Sequence, residues 1–235
     1  MTDGNAAPIT VLSGGAMRRF MLEAIPLFEA ASGQKVAIRF ALTRDMKAQI
    51  EAGATFDVAL LPRAAVDELA EAGFVAAATR TDVVRSLVGF IVRTGAATPD
   101  IGSIEALVRT LRAAKSISYS KGPSGQYVAE LLARLGVAAE MADKTVFAIG
   151  RPVGAVVASG EAEVGMQQII ENQPVEGAHL VGPLPPELIN YVMYAAGFAA
   201  KAADAAAARA FVKFLASPQA TAIIREKGME PAARE

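Results

Sequence analysis

Short apolar runs alternate with longer amphipathic stretches along most of this chain, and this alternation limits the possible folds more than any other feature. It is typical of strand and helix units arranged around a largely parallel sheet. The amphipathic stretches predict helices, one of which carries apolar residues at helical spacing from Val128 to Leu135 and stops at Gly136. The runs predict strands at Ile9–Leu12, Val36–Phe40, Val58–Leu61, Ser116–Tyr119, Thr145–Ile149, Glu163–Met166 and Ala178–Val181. We therefore expect an α/β fold.

Two stretches break this alternation, at residues 82–93 and 189–199. Both are long, apolar and without helical spacing, so both predict extended chain. We expect the chain to cross between two lobes at these points, once outward and once back. The first lobe would then contain residues 1–83 plus 192–235, and the second would contain residues 84–191.

The composition excludes several classes of function. The chain has 235 residues, of which 53% are hydrophobic and 20% charged, enough for sizeable cores and too apolar for a disordered protein. Its 23 basic and 24 acidic residues form no long run of one sign, which argues against a nucleic-acid partner. The absence of Cys and the single histidine, His179, exclude disulfides, thiolate nucleophiles and zinc clusters.

The chain also lacks the apolar segments that membranes require. Charged residues or glycines interrupt every apolar stretch before it reaches the roughly 20 residues of a membrane helix, so we expect no membrane insertion. The first residues, Met1 to Asn5, have neither the basic nor the apolar part of a secretory signal. The predicted location is therefore the cytoplasm as the sequence is written, or the periplasm if a signal has been removed.

Four segments together resemble the periplasmic molybdate-binding proteins of ABC transporters, over residues 9 to about 230. They are Ile9 to Ala16, Gln49 to Ala54 followed by Phe56-Asp57-Val58, Gly125-Gln126-Tyr127, and Gly160 to Gly165. The resemblance implies the two-lobed type 2 periplasmic-binding-protein fold. In that fold each lobe is a mostly parallel sheet flanked by helices, and the ligand cleft lies between the lobes. It also implies a small anionic ligand and a transporter membrane component as a candidate partner.

The molybdate binders hold their oxyanion with two hydroxyl side chains, backbone N–H groups at helix starts and a tyrosine. The matching positions are Ala16 and Thr43 for the hydroxyls, Ser124 and Val153 for the backbone groups, and Gln168 for the tyrosine. Ala16 has no hydroxyl, although Ser13 is nearby, and Gln168 replaces the tyrosine. Because two of the three side-chain donors have changed, the sequence argues against molybdate itself as the ligand.

Four loops each follow a predicted strand and begin a helix, where open α/β sheets bind their ligands. Helix starts offer unpaired N–H groups and the positive end of the helix dipole to an anion. Gly14 and Gly15 would in addition let a ligand approach the backbone closely. The predicted ligand-binding residues are Ser13, Gly14, Gly15, Ala16, Thr43, Arg44, Ser120, Lys121, Ser124, Gly125, Arg151, Val153 and Gln168.

Three of these residues are cationic. Arg44 and Arg151 lie at helix starts, where a cation opposes the dipole, and this placement favours an external anionic partner. The planar fork of arginine matches the two oxygens of a carboxylate. Together with Lys121, they favour an organic di- or tricarboxylate over a tetrahedral oxyanion.

Two functions fit such a site. The first is a monomeric solute-binding protein that closes on a small anion and needs neither cofactor nor metal. The alternative is a cofactor-independent isomerase of an unsaturated tricarboxylate, similar to the aconitate isomerases that resemble the molybdate binders. The proton shuttle of that enzyme could be Ser13, Tyr119, Lys121 or Glu171, and the sequence assigns no catalytic residue. Regulators that share the fold carry a helix-turn-helix before it, whereas here the first strand begins at Ile9.

Overall fold

The computed structural model describes residues 7–172, 175–202 and 205–232. Its strands are β1 Ile9–Gly14, β2 Val36–Ala41, β3 Val58–Pro62, β4 Thr81–Arg93, β5 Ile117–Ser120, β6 Thr145–Ala148, β7 Val164–Gln168, β8 Ala178–Pro183, β9 Tyr191–Phe198 and β10 Glu230–Pro231. Its helices are α1 Arg18–Ser32, α2 Thr43–Glu51, α3 Arg63–Glu71, α4 Ile104–Ala113, α5 Pro123–Arg134, α6 Ala138–Ala142, α7 Val153–Ala158, α8 Ile169–Asn172, α9 Ala205–Leu215 and α10 Pro218–Glu226.

The predicted strands are present, as β1, β2, β3, β5, β6, β7 and β8. The two stretches that break the alternation form β4 and β9, so the prediction of long extended segments is confirmed. The predicted apolar stripe also lies inward on α5, where Val128, Leu131 and Leu132 are buried. Apolar periodicity was therefore a sufficient signal for most of the secondary structure.

The chain divides into two compact units. The first runs up to Arg85 and resumes at Met193, and the second is Ser86–Val192. The sequence analysis drew its lobe boundaries at residues 83–84 and 191–192. Strands β4 and β9 carry the chain from one unit to the other.

The first unit is built on a sheet with the strand order β2-β1-β3-β9. Strands β2, β1 and β3 are parallel, and β9 is antiparallel to β3, with Pro62 opposite Tyr194. Helices α2 and α3 cover a buried cluster that includes Leu12, Met46 and Val66. Because β1, β2 and β3 are parallel, the residues that follow their carboxyl ends lie at one edge of this sheet.

Aromatic packing fixes the first helix of this unit. Phe28 on α1 packs against Phe211 and Phe214 on α9, with ring centroids 5.0 and 5.5 Å apart. The helix ends at Gly33, whose φ of 73° is in the left-handed region. Glycine adopts that conformation without the steric cost of a Cβ atom, which suits it to end the helix.

The second unit is built on a sheet with the strand order β4-β7-β5-β6. Strands β7, β5 and β6 are parallel, whereas β4 is antiparallel to both β7 and β8. One core cluster joins Phe90 and Met166 to the apolar face of α5. A second cluster packs α7 against Ile91 through Val153, Val156 and Val157. Each unit is thus an α/β layer structure with a mostly parallel sheet, as predicted.

Within the part of the chain that the structure describes, no helix has the length and apolar character needed to cross a membrane.

Candidate functional site

The loop after β1 presents backbone groups at the start of a helix. Ser13 and Gly14 end the strand and are buried, and the Ser13 hydroxyl donates to the Gly14 carbonyl at 3.3 Å. Gly14 then begins a short 3-10 turn, Gly15–Met17, that leads into α1. No side chain of the described residues caps this turn. Its N–H groups are therefore suited to an acceptor from outside the chain.

Thr43 and Tyr194 surround the position where Gly14 lacks a side chain. A Cβ atom on Gly14 would lie 3.8 Å from Thr43 Oγ1 and 3.9 Å from Tyr194 Cε1. Thr43 is the first residue of α2, and Tyr194 lies on β9 opposite the end of β3. The structure thus brings together two predicted ligand-binding residues, Gly14 and Thr43. Tyr194 joins them, although the sequence analysis did not select it.

Two other predicted residues of this unit lie nearer to solvent. Arg44 follows Thr43 on α2, and 87% of its side chain is exposed. Its Nε atom lies 3.2 Å from the carboxylate of the adjacent Asp45. Ala16 lies in the 3-10 turn and is half-buried. Arg44 is therefore accessible to an anion, and its ion pair among the described residues is with its neighbour in the sequence.

The loop between β5 and α5 has a specific packing requirement. A Cβ atom on Gly125 would lie 1.7 Å from the Ser120 carbonyl oxygen, far inside any real contact. Glycine is thus required for the first turn of α5 to pack against the end of β5. The Ser120 hydroxyl accepts from the Gly122 N–H at 3.2 Å, and Ser124 is buried in the same turn. The structure therefore gives Gly125 a packing role, and its ligand role stays a prediction.

Lys121, in the same loop, lies against an aromatic pair. Its Nζ atom is 4.8 Å from the centroid of the Phe147 ring, within cation–π range. Phe147 in turn packs edge-on against Tyr119, with ring centroids 5.3 Å apart. Lys121 is exposed, so its ammonium group is accessible from solvent.

Arg151 forms an ion pair in this structure. Its Nη2 atom lies 2.5 Å from a carboxylate oxygen of Glu161, which also accepts from the Ser159 hydroxyl. The hydrogen bond between them raises the pKa of Arg151 and lowers the pKa of Glu161. Nearly half of each side chain is exposed, and exposed pairs contribute little to stability. An anionic ligand of Arg151 would therefore have to compete with Glu161.

Three residues of the second unit form a hydrogen-bonded chain, which we call the Gln167 network. The backbone N–H of Val153, at the start of α7, donates to Gln167 Oε1 at 2.7 Å. Gln167 Nε2 donates in turn to a carboxylate oxygen of Glu171 on α8. The N–H of Val153, predicted to face the ligand, is thus bonded to a side chain within the unit.

Burial sets the protonation behaviour of Glu171. It raises the pKa of this carboxyl group to about 7, although the hydrogen bond from Gln167 acts in the opposite direction. Gln168, the position that matches the family tyrosine, is buried at the end of β7. Glu171 follows it within one helical turn. The sequence analysis named Glu171 only as one of four shuttle candidates, because burial cannot be read from residue types.

Metal binding has no support in the described ranges, where no three His, Cys, Asp or Glu residues are arranged to hold an ion.

Residues 9–230 match the family model of the bacterial extracellular solute-binding proteins. The chain belongs to this family. The match covers both units and the loops described above. It also includes β4 and β9, the segments that connect the two units of this solute-binding protein.

Solved structures show the same fold. The substrate-binding domain named for a molybdenum ABC transporter of Clostridium difficile superposes with a TM-score of 0.80 at 20% identity, covering 97% of this chain and 100% of that one. The periplasmic molybdate-binding protein of Azotobacter vinelandii gives a TM-score of 0.75 at 20% identity, with the same coverage. The predicted type 2 periplasmic-binding-protein fold and the resemblance to molybdate binders are therefore confirmed.

Another relative is more similar in sequence to this chain than these two solved structures are. An aconitate isomerase from a Pseudomonas species is 34% identical over 229 residues, which is 95% of this solute-binding protein and 87% of the relative. The chain is thus similar in sequence to a protein named as an enzyme, and similar in fold to proteins named as transporter components.

Proposed function

We propose that this chain binds a small organic tricarboxylate and isomerises an unsaturated one of the aconitate type. The observation that carries this proposal is its 34% identity to an aconitate isomerase along 95% of the chain. The sequence analysis ranked a receptor first and this isomerase second. We place the isomerase first, because the relative supports it at 34% identity, whereas the molybdate-binding structures share only 20% identity and so indicate the fold alone.

The residues available for binding suit a carboxylate better than molybdate. The first unit offers uncapped N–H groups after Gly14 and the hydroxyl of Thr43. The second unit offers two accessible cations, Lys121 and Arg151. Arginine bonds a carboxylate through two parallel hydrogen bonds, which a site of hydroxyl and amide groups does not provide.

The reaction needs no cofactor. Removing a proton from the methylene carbon next to the double bond leaves an electron pair that spreads over the allylic carbons and the adjoining carboxylates. Returning a proton to the far allylic carbon shifts the double bond and permits the other geometry. One C–H bond breaks and one forms, without any change of oxidation state. The protein must bind the carboxylates and supply one group that accepts and returns a proton.

A receptor without turnover is the second candidate. It is supported by the family description and by the transporter proteins that share the fold. In that case the protein would deliver the same carboxylate to a transporter membrane component outside the cytoplasm. The two candidates share a ligand class and differ in whether the ligand leaves unchanged.

Calorimetric titration tests the ligand class. We expect cis- and trans-aconitate to bind more tightly than molybdate. The Thr43→Val variant, which removes only the hydroxyl donor, should weaken tricarboxylate binding by about 1 kcal/mol. Tight binding of molybdate, with no detectable binding of either aconitate, would contradict the proposal and favour an oxyanion receptor.

A further inference from the structure

Glu171 lies just beyond the carboxyl end of a parallel strand. Helix α8 begins directly after β7, and β7 runs parallel to β5 in the sheet of the second unit. The loops at the carboxyl ends of such strands are where α/β sheets bind ligands. Glu171 therefore shares this edge of the sheet with the Ser120 to Gly125 loop. It also lies within one turn of Gln168, which is buried at the end of β7.

The Gln167 network holds Glu171 by one specific bond. Gln167 Nε2 donates to the carboxyl group, while Gln167 Oε1 is fixed by the Val153 N–H at 2.7 Å. This second bond determines which end of the amide faces Glu171, because a backbone N–H cannot pair with the NH2 end. Gln167 therefore presents a donor to Glu171, and a donor favours the ionised carboxylate.

The strands and the helix around Glu171 place no charged side chain that shifts its pKa. Strand β7 has no ionisable residue, α7 has none, and β8 carries only His179, which is exposed. Strand β4 carries Asp82, Arg85 and Arg93. Asp82 is paired with Arg63 and Arg85 with Glu230, and Arg93 lies at the opposite end of the pairing with β7, beyond the Val92 and Val164 pair. Burial accordingly dominates and brings the pKa of Glu171 to about 7. Such a group exchanges protons near neutral pH with little free-energy cost in either direction.

We propose that Glu171 carries the proton between the two allylic carbons of the substrate and that Gln167 positions it. This inference rests on the isomerase function proposed above. The ionised carboxylate of Glu171 takes the methylene proton and becomes a neutral acid, while the substrate holds the electron pair. Glu171 then returns the proton to the far carbon and is ionised again, so the cycle is closed. Gln167 remains hydrogen-bonded to Val153 throughout.

The other shuttle candidates are less suited to this role. The Ser13 hydroxyl donates to a carbonyl and has no described base to activate it. Tyr119 packs against Phe147, and Lys121 lies over the same ring in an exposed position. Glu171, by contrast, is half-buried at the edge of the sheet and receives a donor whose own position is fixed by the Val153 N–H.

Glu171→Gln tests the proposal, with isomerisation and tricarboxylate binding measured on the same preparation. We expect kcat to fall about 100-fold or more, the usual contribution of a proton-transferring side chain, while binding is retained. Glu130→Gln is the matched control, because Glu130 is an exposed glutamate on α5 in the same unit. Glu171→Asp keeps the carboxyl group and should be more active than Glu171→Gln.

The outcomes separate the two proposals. If the wild-type protein binds tricarboxylates but converts none of them, the isomerase function fails, and the role of Glu171 fails with it. If the wild type is active and Glu171→Gln is equally active, only the role of Glu171 is overturned. Equal activities of the Asp and Gln variants would also overturn it, because the carboxyl group would then be irrelevant. The Gln167→Leu variant adds a pH readout: loss of its donor should move the break in the log kcat profile to higher pH.

Discussion

The side-chain oxygen of Gln167 accepts the backbone N–H of Val153 at 2.7 Å, so a helix start that could receive an anion is capped from a neighbouring strand. Gln167 lies on β7, 14 positions further along the chain, and its other end reaches Glu171. The cap therefore connects the start of α7 to a half-buried acidic group. The N–H of Val153, which the sequence analysis predicted to face a ligand, is thus part of an internal hydrogen-bond network.

The Glu171 carboxyl group should make folding stability depend on pH. Its folded pKa of about 7 lies above the ordinary value of 4.5, so the folded state holds this proton more tightly than the unfolded chain. Its contribution is therefore full below about pH 4.5 and is lost as the pH rises through 7, by about 3 kcal/mol at most. Glu171→Gln should remove this dependence, which urea unfolding at about pH 5 and pH 8 would measure. The difference in the free energy of unfolding between the wild type and this variant should change from about pH 5 to about pH 8. A difference that is the same at both pH values would contradict the raised pKa.

Gly125→Ala should destabilise the protein strongly. Its new Cβ atom would lie 1.7 Å from the Ser120 carbonyl oxygen, so the backbone of α5 or β5 must move. We expect a loss in the free energy of unfolding of about 3 kcal/mol or more, the upper end of the cost of overpacking. Gly122→Ala is the control in the same loop, because its Cβ atom would meet Ser120 Oγ at an ordinary 3.6 Å. Similar melting temperatures for the two variants would show that the packing argument is wrong.

Gly14→Ala should weaken ligand binding without unfolding the protein. The added methyl group would make only ordinary contacts with Thr43 Oγ1 and Tyr194 Cε1, and the backbone there is extended. It would nevertheless occupy the space through which a ligand approaches the N–H groups that follow. We expect about tenfold weaker tricarboxylate binding, equivalent to about 1.4 kcal/mol. Gly102→Ala, in an exposed loop of the other unit, serves as the control. Unchanged affinity in Gly14→Ala would remove this position from the site.

Arg151 and Glu161 should have opposite effects on the ligand. If Arg151 binds a substrate carboxylate, Arg151→Ala should weaken binding by about 1.5 kcal/mol, the lower range for a bond to a charged group. Glu161→Gln should strengthen binding, because it weakens the ion pair that occupies the guanidinium group. Calorimetry on both variants makes the comparison. If neither variant changes the affinity, the pair is a surface feature with no ligand role.

The sequence was sufficient for the strands and for the two long crossing segments. Apolar runs such as Val58–Leu61 predict strands because burial of both faces leaves a continuous apolar pattern. The same reasoning selected Gln168 and not its neighbour Gln167, which the structure shows bonded to the Val153 N–H. Side chains alternate between the faces of a strand, and residue types do not show which of two adjacent glutamines faces the start of a helix. Which of the two caps a helix depends on where α7 begins in space, and only the fold provides that.

The site residues show the same limit. The sequence identified Gly14 and Thr43 by their places after strands, and the structure brings these two together. It offered no sign that Tyr194, distant in the sequence, lies beside them on β9. It also suggested Arg151 as a free cation, whereas Glu161 lies against it in the folded chain. Partners contributed by distant parts of a chain are set by packing, which residue types and spacing do not encode.

A proton NMR time course started separately from cis- and trans-aconitate tests the central claim most directly. If the chain is an isomerase, each sample develops the signals of the other isomer, and both samples reach the same final ratio. The protein concentration should set the rate of approach and leave that ratio unchanged. Two samples that keep their starting isomer, with signals broadened by bound protein, would contradict the isomerase function and leave a tricarboxylate receptor.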